Sequence, residues 1–158
     1  MPVSEELFRS ALSRFASGVT VVTTMDASNN PVGLTVSSFC SLSLSPPLVL
    51  ICIDKETDSH PWFSHTGSFV VNILAEDQEE LSRMFAAPAK DGRTFARIAH
   101  SKAGKGIPAL TGALAILECK LWQEFDGGDH TIYVGQVEKA DVGEGRPLLY
   151  YRNGYSRF

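Results

Sequence analysis

Long apolar runs, clustered basic charge and paired cysteines are all missing from this chain. The longest unbroken apolar stretch, Leu48–Ile53, is six residues, far short of the ~20 that a membrane-spanning helix needs. Glu5 and Glu6 stand where a secretory leader would be basic and then apolar. The expectation is therefore a soluble, cytoplasmic protein with no membrane partner. Lysine and arginine number 14 against 18 acidic residues, a formal charge of −4. The basic residues are scattered singly, so no nucleic-acid partner is expected. Cys40, Cys52 and Cys119 are an odd number without metal-type spacing, which argues against a disulfide framework or zinc site and predicts reduced, buried thiols. His60, His65, His100 and His130 lack i, i+4 pairing and a carboxylate at ligand spacing, and no serine sits in a Gly-x-Ser-x-Gly turn. Metal-hydrolase and serine-hydrolase chemistry have no foothold.

What is present suits one domain spanning residues 1–158. The chain is 44% hydrophobic and 20% charged, and a domain of this length buries roughly 68–70% of its unfolded surface without staples. It is short, however, for an enzyme with one domain for a dinucleotide and another for its substrate.

Ser4 is a candidate N-cap, with Glu5 and Glu6 in the first turn and Leu7, Phe8, Ala11, Leu12 and Phe15 at helical spacing. Gly18 is the expected stop. The β-branched run Val19–Met25, the Ser28-Asn29-Asn30-Pro31 cluster and the run to Ser37 predict a hairpin. Residues 39–47, closing with Pro46-Pro47, read as an extended, kinked connection. Leu48–Ile53 and Ser68–Leu74 are strand candidates, and a short helix holding Pro61, Trp62 and Phe63 can start at Asp58 or Ser59. Residues 77–85 suggest an amphipathic helix, and 86–108 a long loop with one helical turn. A structureless loop beyond ~12–15 residues is usually functional or disordered. Ala113–Phe125 and Thr131–Val142 read as long strands joined through Asp126-Gly127-Gly128-Asp129. The aromatic end, Pro147–Phe158, shows no regular period. About six strands joined by hairpins, without βα alternation, favour a mainly β antiparallel barrel with short flanking helices.

Gly104-x-Gly106-x-x-Ala109 formally satisfies a dinucleotide fingerprint, but no strand precedes it and Pro108 stands where the phosphate-binding helix would begin. The stretch Gly33–Leu42 is a better candidate. It carries Thr35, Ser37, Ser38 and Ser41 without a charge, and small hydroxyls beside accessible backbone groups suit a planar heterocycle held edge-on. An edge strand that solvates itself reads the same way. Asp54–Ser59 offers Lys55, two hydroxyls and free N–H groups to an anion, or is a solvated charged loop. Arg93 or Arg97 could complete such a site, or face water. His130 ends a Gly-Gly-Asp turn, where side chains are commonly exposed.

Taken together and in order, five segments resemble the flavin reductase family, the short NAD(P)H:flavin oxidoreductases that form the reductase component of two-component flavin-dependent monooxygenases. They are Phe15–Thr24; Gly33-Leu34-Thr35-Val36-Ser37-Ser38-Phe39 running into Ser45-Pro46-Pro47-Leu48; Asn72-Ile73-Leu74; Gly128-Asp129-His130; and Pro147–Tyr151 with Gly154-Tyr155. The resemblance implies an FMN-binding split barrel, a six-stranded antiparallel Greek-key barrel working as a homodimer. It assigns Thr35, Val36, Ser37, Ser38 and Ser41 to the flavin ring and ribityl chain of FMN or FAD. Asp54, Lys55, Ser59 and Asn72 go to the ribityl and phosphate region, with Arg93 or Arg97 on the phosphate. His130, Tyr150, Gly154 and Tyr155 are assigned to NADH or NADPH. No protein nucleophile or metal is then needed, because both heterocycles carry the reactivity. The implied activity is NAD(P)H-dependent flavin reduction that supplies a partner monooxygenase. A non-catalytic FMN-binding split-barrel flavoprotein for electron transfer or sensing is the alternative, and an oxidase of a phosphorylated pyridine a further one.

Overall fold

Ser4 starts the first element, its hydroxyl accepting the Leu7 N–H at 3.3 Å at the head of α1 (Glu5–Leu12). Glu5 and Arg9 form an i, i+4 pair at 2.7 Å along it. The helix ends at Ser13 rather than at Gly18, which instead belongs to the two-residue strand β1 (Ser17–Gly18). No α1 residue is buried, and Phe15 just beyond it is 80% exposed. The apolar face read from the sequence thus has no partner within the described part of the protomer, residues 2–88 and 95–157 of a computed structural model.

The expected hairpin is β2 (Thr20–Met25) with β3 (Pro31–Val36), antiparallel in the register Val21 opposite Thr35. Residues 39–47 are more than a kinked connection. Phe39–Leu44 form β4, which pairs with β5 (Pro47–Asp54) across a bulge between Ser41 and Ser43. Its alternating serines obscured the strand. After α2 (His60–Thr66), capped by Gly67 at φ 63°, come β6 (Ser68–Ile73) and α3 (Glu79–Ala86). The expected long loop carries a 3-10 turn at Phe95–Arg97 and a small ladder of β7 (His100–Lys102) with β8 (Pro108–Leu110). Gly104–Gly106 is one tight turn between them, not the start of a nucleotide-binding helix. The long hairpin is β9 (Ala115–Gly127) and β10 (His130–Val142). The C-terminal segment, without visible period, folds into a second hairpin of β11 (Leu149–Tyr151) and β12 (Gly154–Ser156), with β11 against β1.

The main sheet is wholly antiparallel in the order β3-β2-β6-β9-β10-β5-β4. Its two edge strands, β3 and β4, are consecutive in the chain and joined only by Ser37 and Ser38. Two residues span roughly 7 Å, so the sheet must curl until its edges approach, which makes a barrel split between β3 and β4. The mainly β antiparallel expectation holds, and β4 raises the strand count of the main sheet to seven.

Alternation along β5 sends Val49, Ile51 and Ile53 inward onto Val22, Phe63, Phe69, Val71 and Tyr133. Strands β2 and β6 are buried on both faces, because a second cluster of Val21, Leu74, Phe85, Phe95, Leu110 and Leu148 covers their outer side. Gly135 serves a close approach: a Cβ there would lie 2.4 Å from the Phe69 ring. No helix among the described residues is long and apolar enough to cross a membrane.

Candidate functional site

As an edge strand, β3 has a strand neighbour on one side only. Its other side faces α3, held off by side chains rather than by backbone pairing. Thr35 Oγ1 donates to the Ser82 carbonyl at 2.6 Å, and Ser82 Oγ meets the Tyr155 hydroxyl at 2.7 Å. Above Tyr155 lies the Arg83 guanidinium, 4.7 Å from the ring centroid, and Tyr150 packs edge-on at 5.4 Å. This scaffold brings three depressions into line. A cleft of about 330 Å³ between Gly33, Phe85 and residues 56–59 shares Thr35 with a 260 Å³ pocket under Tyr155. That pocket shares Ser37 and Tyr150 with an 830 Å³ groove walled by Phe15, Phe39, Cys52 and Tyr151.

The hydroxyl-rich strand divides by position. Thr35, Ser37 and Ser38 line the depressions. Val36 points into the core, only 4% exposed, so its backbone alone is available. Ser41 is exposed on β4 and lines none of the three depressions. Ser59, 5% exposed, lines the cleft with no side-chain cap bond to α2, while the Asp54 carboxylate accepts the Glu56 N–H.

Two of the expected anion contacts lie elsewhere. Lys55 reaches across to the β9–β10 turn, where its ammonium meets the Asp126 carboxylate and donates to the Gly128 carbonyl at 2.6 Å. Asn72 is fully buried and uses both ends of its amide on backbone, donating to the Val21 carbonyl at 3.0 Å and accepting the Leu110 N–H at 2.8 Å. Arg97 is exposed on the 3-10 turn, and Arg93 falls outside the described residues.

His130 opens β10 opposite Asp54, one pleat beyond the Cys52–Ile132 pair that borders the groove. Its Nδ1 lies 2.7 Å from Asp129 Oδ1, which leaves Nε2 directed away from the turn's carboxylate. The His130 hydrogen bond holds the Asp129 carboxyl below its ordinary range, and that from Lys55 does the same for Asp126. Tyr150 and Tyr155 line the central pocket; Gly154, half-buried, closes the β11–β12 hairpin beside them.

The thiols part company. Only Cys119 is buried, and burial, with a smaller push from Glu138, raises it to about 12. Cys40 is exposed and Cys52 half-buried at the groove wall, so the expectation of three buried thiols fails for these two. Phe39, Ser82 and Arg152, which the sequence does not single out, also line these depressions. A lone serine among Leu81, Met84 and Phe85 was the legible hint for Ser82.

The lining suits a flavin. An unpaired strand edge, hydroxyls at Thr35, Ser37 and Ser38, and apolar walls form a connected series of depressions with both apolar and hydrogen-bonding lining, which a planar ring with a polar chain requires. Comparison with known proteins agrees. The reductase subunit HsaB of a flavin-dependent monooxygenase from Rhodococcus jostii is 42% identical over 150 residues, covering 94% of this chain and 75% of that protein. FMN reductase (NADH) SmoA from Agrobacterium fabrum is 41% identical over 151 residues, covering 96% and 84%. The structure of the Streptomyces globisporus NADH:FAD oxidoreductase SgcE6, in complex with NAD and FAD fragments, superposes with a TM-score of 0.91 at 35% identity, over 100% of this chain and 96% of that one. Residues 12–158 match the family model described as a flavin reductase like domain, and the chain belongs to that family.

Proposed function

We propose that this chain is an NAD(P)H:flavin oxidoreductase that transfers hydride from NADH or NADPH to FAD or FMN and supplies the reduced flavin to a partner monooxygenase. The observation that carries the reading is the set of connected depressions that starts on the unpaired edge of β3 at Gly33–Thr35 and continues past its end at Ser37 and Ser38. Bound there, a flavin supplies the hydride-accepting ring. The chain's own work is to hold and orient. Thr35, Ser37 and Ser38, with the backbone beside Val36, offer hydrogen bonds to a ring edge, and such fixed dipoles favour negative charge gathering on it. Ser59 lines the cleft that would take the polar chain, and Asp54, with Arg97 or with Arg93 outside the described residues, is proposed for its ribityl and phosphate groups. Tyr150, Tyr155 and Phe39 give flat apolar walls on which a second heterocycle can stack, which raises the effective concentration of the reacting pair.

His130, with Nε2 left free by its Asp129 contact, is proposed to hold the nicotinamide side. Stopped-flow bleaching of FAD and FMN by NADH and NADPH tests the activity: at least one pairing turns over, and failure of all four refutes it. In the same assay His130→Ala raises KM for the nicotinamide while flavin KM stays nearly constant. Unchanged kinetics would remove His130 from the site.

The proposed working unit is a homodimer in the cytoplasm. Support comes from the open apolar face of α1, with Leu7 61% and Leu12 57% exposed, and from Leu44, 95% exposed on the edge strand β4. So much uncovered apolar surface normally marks an interface. Light scattering should return twice the 17.2 kDa protomer mass. A fully active monomer would contradict it.

A further inference from the structure

At the far end of the 830 Å³ groove lies another depression, of about 390 Å³, and the two share Arg9, Ser13, Arg152 and Asn153. Its own lining adds Arg14, Ser10 and Glu6. Three arginines therefore converge in a chain whose net charge is −4. Glu6 and the Glu5 partner of Arg9 offset part of that charge, and the balance stays positive.

Backbone geometry builds this convergence. The Arg152 N–H donates to the Ser13 carbonyl at 2.9 Å, pinning the β11–β12 turn to the end of α1. Arg152 and Asn153 occupy the left-handed region, at φ 49° and 62°. A two-residue hairpin turn of this kind favours Asn-Gly, because a side chain at either position is strained. Arg152 is exposed, so burial does not offset that strain. Unfavourable backbone retained at a cleft points to a role for the side chain.

We infer that Arg9, Arg14 and Arg152 form the subsite for the pyrophosphate of the nicotinamide dinucleotide. The inference rests on the reading of the adjoining groove as the hydride-transfer site. Guanidinium groups match phosphate oxygens with paired, charge-assisted hydrogen bonds, and a local positive field is what an acidic protein needs to collect an anionic donor. Position selects the donor over the flavin. The shared lining runs from the Ser59 cleft through Thr35, then Ser37 and Tyr150, and finally to Arg152. A flavin whose polar chain lies toward Ser59 leaves the arginine end to the second nucleotide.

The test compares NADH with N-benzyl-dihydronicotinamide, a donor without phosphate, on the full-length protein. Arg152→Gly removes the charge and suits the left-handed backbone, so it holds or raises the melting temperature. Arg14→Glu reverses a second charge. Each variant lowers the ratio of kcat/KM for NADH to that for the phosphate-free donor by about tenfold, the scale of one lost charged hydrogen bond. The loss enters through KM, shrinks with added salt, and is equal whether FAD or riboflavin is the acceptor. An unchanged ratio overturns the subsite. A loss seen with FAD but not with riboflavin also overturns it, by moving the arginines to the flavin's pyrophosphate. Failure of wild-type protein to reduce flavin with either donor is a separate result, refuting the underlying reading.

Discussion

Ser37→Trp is expected to lower kcat/KM for flavin by about a hundredfold, the scale of loss when reactants are displaced by roughly an ångström, while the protein stays folded. Ser37 is shared, with Tyr150, by the central pocket and the long groove, and it is exposed. An indole there fills the junction without entering the core, and substitutions at exposed positions usually change stability by no more than about 0.5 kcal/mol. Steady-state kinetics with flavin as the varied substrate, beside a thermal melt, separates the two effects. Near-native kcat/KM in a folded Ser37→Trp protein would show that the flavin lies elsewhere.

Asn72→Ala is the largest stability effect expected from a single residue here. The substitution leaves the buried Leu110 N–H without its acceptor and takes a second donor from the Val21 carbonyl, which keeps its place in the β2–β6 ladder. An unsatisfied buried group costs about 1–3 kcal/mol, against a typical total of about 5–15 kcal/mol. Urea denaturation should show a lower midpoint at an unchanged slope. The measurement also decides between two roles for Asn72. A flavin contact would raise flavin KM at native stability; a backbone clamp lowers stability first. A loss below about 1 kcal/mol would sink the clamp, since even one orphaned group costs that much.

Much of the fold was legible because the signals were local. The Ser4 cap, the Thr20–Val36 hairpin, Pro47–Asp54, and the long β9–β10 ribbon each follow from a period, a cap or a turn within a few residues. Elements that broke the local rules were harder to read. Strand β4 carries serines in place of its apolar alternation and gains its partner through a bulge. The β11–β12 hairpin turns on Arg152-Asn153, where the usual turn chemistry would be Asn-Gly. Gly135 gives no local hint that Phe69 needs its missing Cβ.

Taken alone, the sequence determined the class of fold, the hydroxyl-rich strand that borders the depressions and, through the order of its segments, the family. Thr35, Ser37 and Ser38 announce themselves because four hydroxyls without a charge are conspicuous in one short stretch. Tertiary structure decided which candidates share a site. Lys55 is drawn away by a carboxylate 71 positions along the chain, Asn72 turns inward onto two strands, and Ser82 and Arg152 enter from elements that composition left silent. The reason is physical: periodicity records which face of a strand is buried. Whether a polar group on that face meets a ligand or the backbone of another strand depends on long-range register, which no local pattern contains.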